Sequence, residues 1–162
     1  MPRSRLLIPV AMLTAAGLAV VFADCKARPP GKVETAAMTW AKHSFLIHGR
    51  SQKNPLPDTT AGIAEGKEAF SHYCVACHGL DGQNTGVPFA DRMSPPAPSL
   101  AGKDVQAYTD GQLKWVIDYG IWLSGMPGSK GTLSDDEIWS IVLYLRHLPA
   151  AGSLGEPEMY TK

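Results

Sequence analysis

The chain has 162 residues, 44% of them hydrophobic, and its 15 basic side chains balance 15 acidic ones. That composition excludes a disordered or collagen-like chain and leaves room for one modest domain with extensions. The balance is uneven: residues 1–23 hold Arg3 and Arg5 and no acid, residues 24–57 hold six basic residues against Asp24 and Glu34, and residues 58–162 hold 7 against 13. A globular part of net charge −6 argues against nucleic acid as its partner.

Arg3 and Arg5, followed by the uncharged run Leu6 to Ala23, read as an export signal, with Val21-Phe22-Ala23 suited to cleavage after Ala23. The run's 18 residues also reach the lower limit for spanning a bilayer, so residues 1–23 are a signal peptide or an N-terminal membrane anchor. Residues 24–57 are expected to form a basic linker, extended around Pro29-Pro30-Gly31 and again around Pro55 and Pro57. Between these stretches Ala37, Trp40, Ala41, Phe45 and His48 recur at helical spacing, which predicts a short amphipathic helix that packs on the domain or on a partner. Cys25 follows the apolar run with only Asp24 between, and Asp24 stands where a lipoprotein signal usually has a small residue. It reads as a lipid-anchor site or as an unpaired thiol open to intermolecular pairing.

The domain is expected over residues 58–150, with residues 151–162 as a C-terminal tail. From Thr60, Ile63, Phe70, Tyr73, Cys74 and Cys77 fall largely on one helical face, and Gly79 can end that first helix. Residues 80–102, with Pro95, Pro96 and Pro98, predict a long wrapping loop. A second helix is expected from an N-cap at Asp110, turning Leu113, Val116 and Ile117 inward until Gly120 stops it. The third carries a capping box at Ser134 and Glu137 and an apolar stripe of Ile138, Ile141, Val142 and Leu145, with Pro149 beyond its end. No alternating strand pattern or internal repeat is present, so the fold class is mostly α.

Cys74-Val75-Ala76-Cys77-His78 is a Cys-x-x-Cys-His motif, the signature of covalent haem attachment. On a helix, positions i, i+3 and i+4 share a face, so two thioether bonds can hold one porphyrin edge while His78 offers an imidazole nitrogen to the iron. A zinc site would need two further ligands, and the remaining cysteine, Cys25, lies beside the export segment. A thioredoxin-like pair would need a βαβ context that the pattern lacks. The sixth iron ligand is expected to be Met126, in Gly125-Met126-Pro127-Gly128, where glycines permit close approach and proline stiffens a loop crossing the haem face. Met93, in the wrapping loop, is the rival, whereas Met12, Met38 and Met159 lie in segments expected outside the folded domain.

Residues 54–149 resemble a class I cytochrome c domain of the small bacterial single-haem kind: three main helices and long loops around one covalently bound haem c. Gly66, Phe70 and Cys74 resemble the family's first-helix pattern, in which the glycine lets the terminal helices cross closely, and Tyr144 and Leu145 resemble the matching end of the last helix. Pro98-Ser99-Leu100-Ala101-Gly102 resembles the family's Pro-x-Leu-x-Gly segment, which implies that the Pro98 carbonyl orients His78. The family also places its methionine ligand in a Gly-Met-Pro setting. His43, His48, His72 and His147 read as surface or interface histidines, and Trp115, Tyr119, Trp122 and Trp139 as packing around the porphyrin.

The function this implies is one-electron transfer, not catalysis, between exported redox proteins that act as donor and acceptor. No small-molecule substrate is expected. The chain would reside in a bacterial periplasm, free or anchored to the inner membrane, with the basic arm as a possible membrane tether. The alternatives are a fixed haem subunit of a larger membrane oxidoreductase and a haem enzyme or sensor with an open iron position.

Overall fold

The computed structural model describes residues 31–93, 95–121 and 124–161. The expected signal or anchor over 1–23, Met12, Cys25 and Trp122 therefore lie outside the described residues. The chain divides after Met38 into two units. Of the first, the described residues belong to the start of helix α1 (Lys32–Ala41), where Val33 and Met38 are exposed.

In the second unit, Thr39–Lys162, α1 runs into a π-helical turn over Lys42–Leu46, and the domain proper is built from α2 (Thr60–Tyr73), α3 (Val75–His78), α4 (Lys103–Gln106), α5 (Asp110–Tyr119) and α6 (Asp135–Leu145). Among the described residues no strand forms, and one isolated bridge joins Lys130 and Leu133. The class is mostly α, as the sequence pattern implies.

Each main helix starts on a side-chain oxygen that accepts an otherwise orphaned backbone N–H. The Thr59 hydroxyl accepts from Gly62, and Ser134 forms the expected capping box with Glu137. For α5 the cap is Thr109 rather than Asp110, because Gln112 closes a reciprocal capping box with Thr109. Asp110 becomes the first helical residue, where its charge faces the positive helix end.

The core lies where α2 crosses α6. Phe70, Ile138, Ile141 and Val142 are at most 1% exposed, and each such side chain stabilises the fold by about 1.5–3 kcal/mol. The Phe70 and Tyr144 rings sit tilted, 5.4 Å apart. At the crossing Gly66 is buried against backbone: a Cβ there would collide with the Ser140 carbonyl and stand 3.0 Å from the Tyr144 Cβ. Tyr73, expected on the inner face, is 54% exposed. The inward face passes from Phe70 directly to Cys74, four residues on, where α2 breaks.

Two expected boundaries move. The domain begins before residue 58: the Asn54 side-chain amide donates to the Trp139 carbonyl at 2.9 Å, Leu56 packs on the core, and Gly49 meets Gly111 of α5 backbone to backbone. The tail also belongs to it. Pro157 is fully buried, the Gly152 N–H donates to Asp81 at 2.7 Å, and the Tyr160 hydroxyl donates to the Ala76 carbonyl at 2.8 Å. Met159 is thus part of a folded segment, although its own side chain is 62% exposed.

Gly66→Ala forces α2 and α6 apart or strains both, and should cost about 2–3 kcal/mol, read as a lower urea midpoint in equilibrium unfolding.

Candidate functional site

The Cys-x-x-Cys-His segment sits just beyond the α2–α6 crossing. The Cys74 N–H still donates to the Phe70 carbonyl at 2.9 Å, and the Cys74 carbonyl then accepts from both Cys77 (3.1 Å) and His78 (3.0 Å). That shared acceptor winds the three side chains onto one turn. Gly79, at φ +72°, ends α3, and a Cβ at this position would stand 2.9 Å from the Thr85 backbone. The chain is then knitted back: Asn84 N–H donates to the His78 carbonyl at 2.8 Å, and its side-chain amide to the Ala97 carbonyl at 2.7 Å.

Both cysteines are free thiols and partly buried. Burial, helped by the neighbouring Cys77, pushes the Cys74 thiol up to about 12, so it is protonated at neutral pH. Burial holds the His78 imidazole below its ordinary range, against an opposing pull from the Pro98 carbonyl, so the ring is neutral and keeps a free lone pair. His78 Nδ1 is enclosed and closes no hydrogen bond of regular geometry, which leaves the Pro98 carbonyl as the backbone group that acts on it. Pro98 itself is exposed, and its loop is pinned on either side by Ala97 N–H to Ala90 (3.0 Å) and Leu100 N–H to Gly82 (2.8 Å).

Met126 is half-buried and packs against the core. Its carbonyl accepts from Ile121 N–H at 3.2 Å, its N–H donates to the Ser124 hydroxyl at 3.2 Å, and Gly120, at φ +70°, lets the loop fold back on α5. Met93 reaches the same loop: an added Cβ on Gly125 would stand 2.6 Å from its terminal methyl. The fold therefore brings both methionines to one neighbourhood. The other histidines whose side chains are described lie at the surface: His72 pairs with Glu68 at 2.9 Å, His147 with the Leu143 carbonyl at 3.0 Å, and His48 stacks at a tilt on Trp115. Trp139 is core, Trp115 is half-buried, and Tyr119 is 52% exposed.

Two polar centres carry no motif. Asp81, fully buried, accepts from Thr85, Gln83 and Gly152, and so ties the turn after His78 to the tail. Lys114, 8% exposed, donates to Asp118 at 2.8 Å and Asp135 at 2.9 Å, fastening α5 to the start of α6. Burial works against the Lys114 charge, but the two carboxylates outweigh it and raise its pKa. The one sequence signal for either was an acid or base inside an apolar helix or a Gly-rich turn.

The family model described as cytochrome C oxidase, cbb3-type, subunit III matches residues 61–145, just over half of the chain, and the chain belongs to that family of c-type cytochromes. Its cofactor is accordingly haem c, the group through which a c-type cytochrome domain transfers electrons. A thiosulfate dehydrogenase of Stutzerimonas stutzeri is 31% identical over 96 residues, which cover 56% of this chain and 29% of that protein. The chain thus spans less than a third of the length of this curated relative. A chain of the Kuenenia stuttgartiensis reducing HAO-like protein complex aligns with 26% identity and a TM-score of 0.48, over 57% of this chain and 46% of that one.

The Asp81 carboxyl is held below its ordinary value of 3.8: burial opposes its charge, and the bonds from Thr85, Gly152 and Gln83 prevail. A lowered folded pKa means that its ionised form stabilises the fold fully above that value, and the contribution is lost as pH falls through the folded pKa. Asp81→Asn should therefore cost about 2 kcal/mol near neutral pH and flatten the acid limb of stability, measured by urea unfolding between about pH 3 and pH 7.

Proposed function

We propose that this protein is a one-electron carrier whose single haem c is held through thioethers from Cys74 and Cys77, with His78 and Met126 as axial ligands and Pro98 orienting His78. The observation that carries this reading is the turn on which the Cys77 and His78 N–H groups both donate to the Cys74 carbonyl, with a half-buried imidazole, held below its ordinary pKa, at its end. Two free thiols three residues apart suit addition across neighbouring vinyl groups, in which each S–H and one vinyl C=C would give a C–S bond and a C–H bond. Bound there, haem c supplies a reversible one-electron couple. The chain's part would be to hold the group through Cys74 and Cys77, to orient the His78 ring through the Pro98 carbonyl, and to offer the Met126 thioether as a second iron ligand. Filling both axial positions with protein side chains keeps outside ligands off the iron, which is the requirement of a carrier and the opposite of that for a haem enzyme.

The domain's net −6 charge supports docking to basic faces of a donor and an acceptor. Glu65, Glu68, Asp136 and Glu137 line one shallow cavity of about 510 Å³ between α2 and α6. Export by residues 1–23, retained or cleaved, places the protein in a periplasm in this reading, and the thioether chemistry suits that location. A second reading is favoured by the family description, which names an oxidase subunit: a fixed haem subunit of a larger oxidoreductase. Recovery of the tagged chain from membranes as a stoichiometric complex would select it, and recovery alone would select the carrier.

Met126→Ala should convert a carbon-monoxide-insensitive reduced spectrum into a sensitive one, while Met93→Ala leaves it insensitive. The reverse pattern would give the ligand role to Met93. Electron transfer to a basic partner should slow steeply as ionic strength rises, by stopped-flow absorbance.

A further inference from the structure

The domain buries its large apolar side chains around the α2–α6 crossing, yet Trp40, Phe45 and Leu46 are 62%, 63% and 55% exposed within seven residues of one another. Trp40 and Phe45 stack edge to face at 5.1 Å and so present one aromatic knob. Residues 39–57 around this knob contain Lys42, Arg50 and Lys53 and no acid, whereas residues 58–162 carry a net charge of −6.

We infer that the segment Trp40–Lys53 is a lipid-contact plate, which seats the domain on a bilayer surface containing anionic phospholipid. Aromatic side chains with basic neighbours are suited to the interfacial zone, where rings sit at headgroup depth and cations meet anionic headgroups. Charge complementarity favours lipid over a redox partner's basic face: the same anionic surface that draws the plate in repels the acidic remainder of the domain. Continuity points the same way, since sixteen residues, 24–39, separate Trp40 from the apolar run Leu6 to Ala23.

The plate is fixed to the domain. The Gly49 backbone, at φ +84°, lies directly on Gly111 of α5, the Ile47 carbonyl accepts from the Gln112 side chain at 3.4 Å, and Gln52 N–H donates to the Gly49 carbonyl at 2.9 Å. The plate's C-terminal end thus bears directly on α5, the helix that leads through Gly120 into the loop carrying Met126. The inference requires no particular axial ligand and holds whether or not residues 1–23 span the bilayer.

The test uses the full haem-loaded chain, reduced, labelled with fluorotryptophan and reconstituted in nanodiscs that contain phosphatidylglycerol and a lipid nitroxide near the headgroup. Trp40→Phe assigns the Trp40 fluorine resonance. That resonance should be broadened beyond detection by the nitroxide, while Trp139, 7% exposed in the core, persists. A sharp Trp40 signal from a chain that stays with the discs overturns the plate and leaves residues 1–23 as the sole tether. A chain that does not stay with the discs overturns it as well. Equal broadening in discs of phosphatidylcholine alone overturns the assignment to anionic lipid.

Discussion

Two backbones meet directly at the heart of this domain: Gly66 of α2 lies against the Ser140 carbonyl of α6, where a Cβ would collide with it. With no side chain at residue 66, the helices come within direct contact, and the rest is positioned from there. Phe70 and Cys74 follow at one and two turns along the same stripe of α2. Phe70 meets the Tyr144 ring of α6, and the Tyr144 hydroxyl reaches the Leu80 carbonyl just past His78 at 3.4 Å. Two residues past Tyr144, at the C-cap of α6, Arg146 binds Asp110 and the Gln106 and Tyr108 carbonyls, so the end of the same helix also anchors the approach to α5. A single missing Cβ thus sets the register between the attachment segment and the loop that carries Met126.

So small a domain has little apolar interior, and it places two charged centres inside it. Asp81 and Lys114 are tolerated because each is fully engaged, with three donors on one and two carboxylates around the other. Their positions are complementary. Asp81 holds the segment on the His78 side, and Lys114 holds the helix and loop on the Met126 side, where the Asp118 carbonyl also accepts from Lys130 N–H at 3.0 Å. Rigid loops on both flanks suit a centre that must change charge with little rearrangement.

Much of this was legible in the sequence, because the signals were local. Helical spacing, the Ser134–Glu137 box and the Cys-x-x-Cys-His motif each span a few residues and declare themselves without tertiary context. The family resemblance added Gly66, whose role the crossing bears out. What local pattern does not encode is return of the chain over long separations. Tyr160 meets Ala76 across 84 positions and Asn54 meets Trp139 across 85, and in neither segment does periodicity mark a helix or strand, so both read as linker and tail. Tyr73 was misplaced for another reason: three residues past Phe70 on an unbroken α2, it falls to one side of the stripe that runs Gly66, Phe70, Cys74 at intervals of four. Asp110 and Thr109 are both good N-caps, and only the reach of Gln112 back to Thr109 separates them.

The fold-back of the tail has a practical reach. Tyr160 is docked on the carbonyl inside the Cys-x-x-Cys-His loop and its ring leans on Phe89 at 5.9 Å, while Met159 beside it points to solvent. A dye attached at position 159 would therefore ride beside the turn proposed to hold the haem, within the range over which a porphyrin drains excited states. Its brightness would follow the oxidation state of the iron, which makes the chain's last turn a ready place to watch electrons arrive and leave in real time.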